Sequence, residues 1–263
     1  MRHLIIGLGS MGQRHLANLK SLCPDDEFIT VDENGKADYE TPRADLVRDS
    51  LVYICSPTRW HERHFGFVSD HTPRAVFVEK PLFSVNSRWQ DLFASRDINF
   101  PVVVGFCYRF HPLFQKLRAS ADRKDIFSFH VYASEASLAG RYTDPPLELL
   151  LAHPINTAEW LFGPIQSHKV VSDDKWATFS GTARNGISVS MSANFISPQR
   201  ISLCIVGVLN RETQSHEQFI YNVWPDDGMY IDEMKAWLNY VETGNSGDLC
   251  TLSEAMRTQE LLQ

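Results

Sequence analysis

A parallel α/β first half joined to an α+β second half is the fold class predicted here, on three observations. Short, wholly apolar runs alternate with helical patterns up to about residue 105. A glycine-rich turn, Gly7-Leu8-Gly9-Ser10-Met11-Gly12, joins the first run directly to the first helix. Further on the period changes to strict alternation, with Ile187, Val189, Met191, Ala193 and Phe195 separated by Ser188, Ser190, Ser192 and Asn194. A run that is apolar throughout is covered on both faces, as in a parallel sheet. An alternating run has one covered face, as in an antiparallel sheet.

The elements follow in order. His3 to Ile6 is the first strand and Met11 to Leu22 the first helix; Phe28 to Val31 is the second strand, ending at Asp32. Leu51 to Cys55, Ala75 to Val78 and Val102 to Val104 are further strands, with helices at Arg59 to Ser69 and Val85 to Ala94. Only nineteen residues separate Asp32 from Val52, too few for a full helix and strand, so the first half is a shortened version of its class. In the second half, Asn185-Gly186 is a hairpin turn signal ahead of the alternating strand. Phe127 to Ala133, Trp176 to Thr182 and Ile201 to Val206 supply further strands, and Leu147 to Phe162, Tyr230 to Val241 and Leu252 to Leu262 the helices. The change of pattern sets two domains, 1–107 and 108–263, the second an α+β domain with an open, mainly antiparallel sheet. No internal repeat or low-complexity linker interrupts them.

The glycine turn has the chemistry of a dinucleotide cradle. Gly7 allows the tight turn, Gly9 lets backbone approach a pyrophosphate, and Gly12 lets the helix pack close to the strand. The free N–H groups at the helix start, Ser10 and Met11 among them, then face phosphate where the helix dipole favours negative charge. Asp32 lies twenty residues after Gly12, the spacing of the carboxylate that accepts hydrogen bonds from the adenosine ribose. That carboxylate repels a 2'-phosphate, so a shortened Rossmann fold binding NAD in preference to NADP is expected.

Composition sets outer bounds. With 25 basic and 32 acidic residues the net charge is −7, which argues against a general nucleic-acid binder. The five cysteines are odd in number, far apart and without a CxxC pair, as expected of a reducing cytoplasm. No apolar run approaches the roughly 20 residues that span a bilayer, and no secretory leader pattern is present, so a cytoplasmic protein with no membrane partner is expected.

Five segments carry a family resemblance: GLGSMGQRHLANL, SPTRWH at 56–61, VEKPL at 78–82, GFCYRFHP at 105–112 and AHPINTAEWLFG at 152–163. In this order, over nearly the whole chain, they resemble the glucose-fructose oxidoreductase, inositol dehydrogenase and rhizopine catabolism (Gfo/Idh/MocA) superfamily of NAD(P)-dependent oxidoreductases. The resemblance implies a Rossmann domain followed by an α/β domain, the substrate lying between them over the nicotinamide. It also implies a sugar, nucleotide sugar or cyclitol as substrate, and a homodimer or homotetramer built through the second-domain sheet. Carried over residue by residue, it adds Ser56, Pro57, Thr58, His61, Glu79 and Lys80 to the cofactor contacts. Lys80, in the Glu-Lys-Pro motif, is the lysine that reaches the reacting hydroxyl or carbonyl. His153, seven residues before Trp160, is the general acid/base. Arg109, Tyr142 and Asn156 fall where relatives contact substrate, Tyr142 in a region much shorter here; for Arg109 a structural salt bridge, and for Asn156 a buried amide capping local backbone, are the alternatives.

The pattern departs from its relatives beside His153. Many carry an aspartate four residues before this histidine, where Leu149 stands, and an acid three residues after it, where Asn156 stands. Glu148 is adjacent, but on an α-helix it points about 100° away from position 149. Hydride transfer from a secondary alcohol needs a base for the hydroxyl proton, and an imidazole suits that task near neutral pH; a nearby ammonium stabilises the developing alkoxide. His153 and Lys80 are therefore the expected catalytic pair of an NAD(P)-dependent dehydrogenase or reductase. Two other readings fit the departures: a glycosidase or lyase that retains NAD and oxidises its substrate transiently, and a non-catalytic sensor or scaffold. His61 and His64, three apart on a helix, lack an evident third ligand, so no metal is expected.

Overall fold

In the computed structural model of the protein, residues 1–120, 125–139, 143–197, 200–210, 213–223 and 226–263 are described. They fall into two compact units, residues 1–106 with 230–259 and residues 107–229 with 260–263.

The first unit carries β1 (Arg2–Ile6), α1 (Ser10–Leu22), β2 (Glu27–Val31), the short α2 (Ala44–Val47), β3 (Leu51–Ile54), α3 (His61–Ser69), β4 (Ala75–Glu79), α4 (Trp89–Ala94) and β5 (Val102–Gly105). The second carries α5 (Pro112–Ala119), β6 (Ile126–Ser134), α6 (Ala152–Phe162), β7 (Ile165–Ser172), β8 (Trp176–Ala183), β9 (Ser188–Asn194), β10 (Ile201–Asn210) and β11 (Ser215–Asn222). The chain ends with α7 (Asp227–Thr243), β12 (Cys250–Thr251) and α8 (Leu252–Leu262).

The first sheet has the order β12-β5-β4-β3-β1-β2, parallel except for β12. Every residue of β3, β4 and β5 is buried, and apart from Glu79 at the end of β4 these strands are apolar without alternation. Beyond β2, where a full Rossmann sheet places another strand, there is only a bridge between Val31 and Tyr39. Asp38 anchors this stub by accepting hydrogen bonds from the Thr30 N–H and hydroxyl, at 2.9 and 2.7 Å. The shortening expected from the Asp32 to Val52 spacing is thus the loss of one edge strand and most of one helix.

The expected division at 107/108 differs from this arrangement at the C-terminal end, where residues 230–259 fold with the first unit. The cause is local pairing and packing. Cys250 and Thr251 pair with Val104 and Val103 at the sheet edge. Trp237 of α7, fully buried, sets its ring 6.0 Å from Phe77 and 6.4 Å from Tyr53 and donates to the Tyr53 hydroxyl at 3.1 Å.

The second sheet runs β11-β10-β6-β9-β8-β7, antiparallel except for the β6–β9 pair. Phe129, Val131, Ala133, Ala177, Phe179, Val189, Met191 and Ala193 form its buried face. The turn at Asn185-Gly186 leads into β9 as its composition requires, with Gly186 at φ +85°. β7, β11 and α5, with α2 and β12 of the first unit, are elements beyond the expected set. The helix expected over 85–94 is confined to Trp89–Ala94, and that expected over 147–162 is two structures: a π-helical turn at Leu147–Leu151, then α6. Among the described residues no helix is long and apolar enough to cross a membrane.

Candidate cofactor and acid–base sites

In the first unit, four neighbouring parallel strands end on one edge: β2 at Asp32, β1 at Gly7, β3 just before Ser56 and β4 at Lys80. The glycines divide into two kinds. Gly7, at φ +96°, lies so close to the next strand end that a Cβ would stand 2.5 Å from the Ser56 nitrogen. A Cβ on Gly12 would overlap the Gly7 carbonyl oxygen. Both are demanded by the chain's own packing. Gly9 is different: it caps α1 in an extended conformation, and a Cβ there meets nothing within 4 Å. Helix α1 has no side-chain cap and no acid in its first turn, so its N-terminal N–H groups, at Ser10 and Met11, have the geometry that receives a phosphate.

Asp32 is tied into this loop. Its Oδ2 accepts from the Leu8 N–H at 2.5 Å and its Oδ1 from the Asn34 N–H at 2.9 Å. A carboxylate has lone pairs beyond these two bonds, enough to receive ribose hydroxyls. The open space at Gly9, the uncapped helix start and the carboxylate at the end of β2 together fit an NAD dinucleotide.

The β3 and β4 ends are locked to each other. The buried His61 ring stands between them, Nε2 at 2.7 Å from the Ser56 carbonyl oxygen and Nδ1 at 2.9 Å from that of Pro81. Burial lowers its pKa, opposed by these carbonyls and by Glu79. His61 thereby fixes the Lys80-Pro81 segment against the Ser56-Pro57-Thr58 turn. Thr58 is buried there, Pro57 is exposed, and the Ser56 hydroxyl is shared with His64 Nδ1 at 2.9 Å. Both His61 nitrogens and His64 Nδ1 are engaged in these contacts.

Glu79 points back toward the cradle. Its Oε1 lies 2.5 Å from Nε2 of the fully buried His15 on α1, and its Oε2 accepts from the Lys80 N–H at 3.2 Å. His15 is absent from the sequence reading, although it stands three residues after Gly12. A histidine on the inner face of a helix has no periodic signature that separates it from a core residue.

A second cluster in this unit has metal-ligand chemistry: one ligand atom each from His3, Cys23 and Asp26 lies within 4.8 Å of the others. Hydrogen bonding engages both imidazole nitrogens, one of them with Asp26 itself. Trp237 donates to the Tyr53 oxygen, so the Tyr53 hydroxyl donates to His3 Nδ1 (2.9 Å) and Nε2–H donates to Asp26 (2.9 Å). Burial keeps His3 neutral by lowering its pKa, in keeping with that tautomer.

In the second unit, Cys107–Phe110 forms a short 3₁₀ turn against α6. The His153 ring stacks on Tyr108, centroids 4.5 Å apart and 8° from parallel, and its Nε2 is 3.9 Å from Cys107 Sγ. One turn on, Arg109 Nε donates to Asn156 Oδ1 at 2.8 Å, and the guanidinium lies over Trp160 at 5.9 Å. Arg109, His153 and Asn156 are all buried. Residues 153, 156 and 160 thus make one polar-aromatic stripe of α6, met by Cys107, Tyr108 and Arg109. Cys107 and Tyr108 are neighbours of His153 that the motif reading did not single out. Tyr142 lies outside the described residues.

The comparisons with known proteins agree with this architecture. No family model matches the chain. An uncharacterised oxidoreductase, YrbE of Bacillus subtilis (strain 168), is 26% identical over 158 residues, 54% of this chain and 45% of that protein. The matched stretch is therefore less than half the length of that curated relative. Among solved structures, a UDP-N-acetylglucosamine 3-dehydrogenase of Acidithiobacillus ferrooxidans matches all of this chain and 99% of its own, at 16% identity and a TM-score of 0.76. A myo-inositol 2-dehydrogenase of Lactobacillus plantarum matches all of this chain and 95% of its own, at 14% identity and a TM-score of 0.77. An oxidoreductase of Agrobacterium radiobacter, solved with NAD+, L-tartaric acid and magnesium, matches at 12% identity and a TM-score of 0.75, covering all of this chain and 94% of its own. The chain has the fold of the Gfo/Idh/MocA-type dehydrogenases: a Rossmann unit with a second, mostly antiparallel sheet.

Proposed function

We propose that this protein is an NAD-dependent oxidoreductase that transfers a hydride between the nicotinamide and a sugar-like alcohol or ketone. The single observation that carries this reading is the cradle, where the space at Gly9 is open while Gly7 and Gly12 are closed by the chain itself. The neighbours named as dehydrogenases of a nucleotide sugar and of myo-inositol support the substrate class.

Gly7, Gly9, Ser10, Met11, Gly12 and Asp32 hold the adenosine and pyrophosphate part of NAD. Ser56, Pro57, Thr58, His61 and Glu79 shape the turns around its nicotinamide end, His61 and Glu79 through the bonds that fix the Lys80 backbone. When bound, NAD supplies the hydride acceptor or donor. Lys80 Nζ stabilises negative charge on the reacting oxygen. His153 takes the hydroxyl proton in oxidation and returns it in reduction, the stacked Tyr108 ring holding its plane. Arg109 and Asn156, bonded to each other, order the α6 stripe and, by resemblance, lie on the substrate side of it. Tyr142 joins the substrate contacts by resemblance alone. A homodimer or homotetramer formed through the second-unit sheet, and a cytoplasmic location, complete the reading.

The test is NADH formation at 340 nm across a panel of sugars, nucleotide sugars and cyclitols. Lys80→Ala and His153→Ala should each lower turnover at least 100-fold while NADH binding and thermal unfolding are retained. Wild-type turnover in either variant removes that residue from the chemistry.

A further inference from the structure

A fully buried carboxylate stands five residues before the proposed acid/base histidine, and the chain winds there in an unusual way. Glu148 is 1% exposed, while Leu149 and Leu150 beside it are only half-buried. Burying a carboxylate ahead of two leucines reverses the hydrophobic order and is costly unless a partner holds the charge. The segment Leu147–Leu151 is a π-helix that runs straight into α6. In α-helical winding five residues advance about 500°, which sets residue i+5 roughly 140° around the helix. From Glu148 the chain takes three steps inside the π segment and two into α6, roughly 450° in all, which narrows the offset between Glu148 and His153 from roughly 140° to roughly 90°. The π turn therefore swings Glu148 toward the His153 face. Side chains lean toward the N-terminus of their helix, which inclines the His153 ring over the turn that carries Glu148.

The apolar pair of the same turn, Leu147 and Leu151, is buried where the turn packs against β6, β8 and β9. Those strands present Phe129, Val131, Ala177, Phe179, Val189 and Met191 as buried residues, all without charge. The chemistry facing His153 from the 3₁₀ turn is the Cys107 thiol and the Tyr108 ring, with the Arg109 guanidinium engaged by Asn156.

We propose that Glu148 is the positioning carboxylate of His153, brought toward its face by the π turn in place of a residue four positions earlier. Glu148 stabilises the imidazolium that forms when His153 takes a proton and holds the ring in register. It acts through His153, so it is a positioning residue and transfers no proton to substrate. The proposal rests on the assignment of His153 as acid/base for its role in turnover. The pairing of the two side chains can be read without that assignment.

The experiment is the titration of the His153 imidazole by long-range ¹H–¹⁵N NMR in wild type, Glu148→Gln and Glu148→Asp, on the whole protein without cofactor or substrate. Glu148→Gln keeps the volume and one acceptor oxygen but removes the charge. It should lower the His153 midpoint by about one pH unit or more; Glu148→Asp should restore part of the shift. An unchanged midpoint in Glu148→Gln, with its fold intact by circular dichroism, overturns the proposal. If Glu148→Gln fails to fold, the same midpoint in Glu148→Asp as in Cys107→Ser, both displaced from wild type by the same amount, overturns it too, since any repacking of the ring would then explain the effect. If the shift appears in a protein that turns over no sugar-like substrate, the pairing stands and the dehydrogenase reading fails alone.

Discussion

The two outer glycines of the cradle and the middle one should fail in different ways when given a methyl group. In Gly12→Ala the added Cβ overlaps the Gly7 carbonyl oxygen, comes within 3.0 Å of the Gly7 carbonyl carbon and 3.4 Å of Cys55 Cβ. The first two are backbone atoms, and Gly7 is itself held against Ser56, so α1 must move away from the sheet. Overpacking of this kind costs roughly 1–3 kcal/mol, equivalent to a fall in Tm of roughly 2–10 °C for a chain of this size. In Gly9→Ala the Cβ meets nothing within 4 Å, and the residue's φ of −65° and ψ of −167° suit alanine. The stability change should be within about 1 kcal/mol, the weaker N-cap being offset by a less flexible unfolded chain. The same methyl group fills the space that a pyrophosphate needs, so NADH affinity should fall roughly 10- to 100-fold, the loss of one or two charge-assisted hydrogen bonds. Circular dichroism melts and NADH titrations of both variants supply the readings. Wild-type NADH affinity in Gly9→Ala, or a melt as depressed as that of Gly12→Ala, would refute the argument that packing demands one glycine and the ligand the other.

Three further outcomes are expected. Asp32→Ser should weaken NADH binding roughly tenfold and strengthen NADPH relative to NADH by at least that factor, since it removes both the ribose acceptor and the charge that opposes a 2'-phosphate; competition titrations of the two cofactors check it. Glu79→Ala leaves the buried His15 ring without its carboxylate and should cost about 2–5 kcal/mol, read from urea unfolding, while the double variant His15→Leu/Glu79→Ala recovers part of the loss. Stability should also fall on mild acidification. Burial lowers the pKa of His3, His61, His64 and His111, with His64 brought from 6.5 to about 4. Below pH 6.5 the unfolded chain takes up protons that these folded imidazoles refuse, so stability present above that pH is lost as pH falls toward the folded values. For the partly solvated His64 this amounts to roughly 1–2 kcal/mol between pH 7.5 and 5, and His64→Asn should flatten the dependence by that amount in urea unfolding at the two pH values.

Much of the first unit was legible because its signals are local. The glycine turn, the carboxylate at the end of the second strand and the continuous apolar strands each follow from a few neighbouring residues. Its missing edge strand was legible from spacing alone. The return of residues 230–259 to the first sheet was not, since it depends on Trp237 finding Tyr53 and Phe77 across the length of the chain. In the second unit β7 and β11 escaped notice for another reason. β7 reads Ile-Gln-Ser-His-Lys-Val-Val-Ser with most side chains exposed, and β11 is exposed at seven of its eight positions, all but Tyr221. Edge strands of this kind lack the apolar alternation that announces a half-buried one. Around His153 the winding of the preceding turn was not legible. The angular offset assigned to Glu148 assumed α-helical winding, and no residue between Leu147 and Leu151 signals a π turn; the burial of a glutamate beside half-exposed leucines is visible only in three dimensions.

The most direct test of the central claim is a titration of the purified protein with NADH and NADPH, following energy transfer from its six tryptophans to the reduced nicotinamide. Saturable NADH binding, competed by NAD and markedly weaker for NADPH, is the predicted result. Binding of neither cofactor would contradict the account, because the open cradle at Gly9 would then serve no dinucleotide.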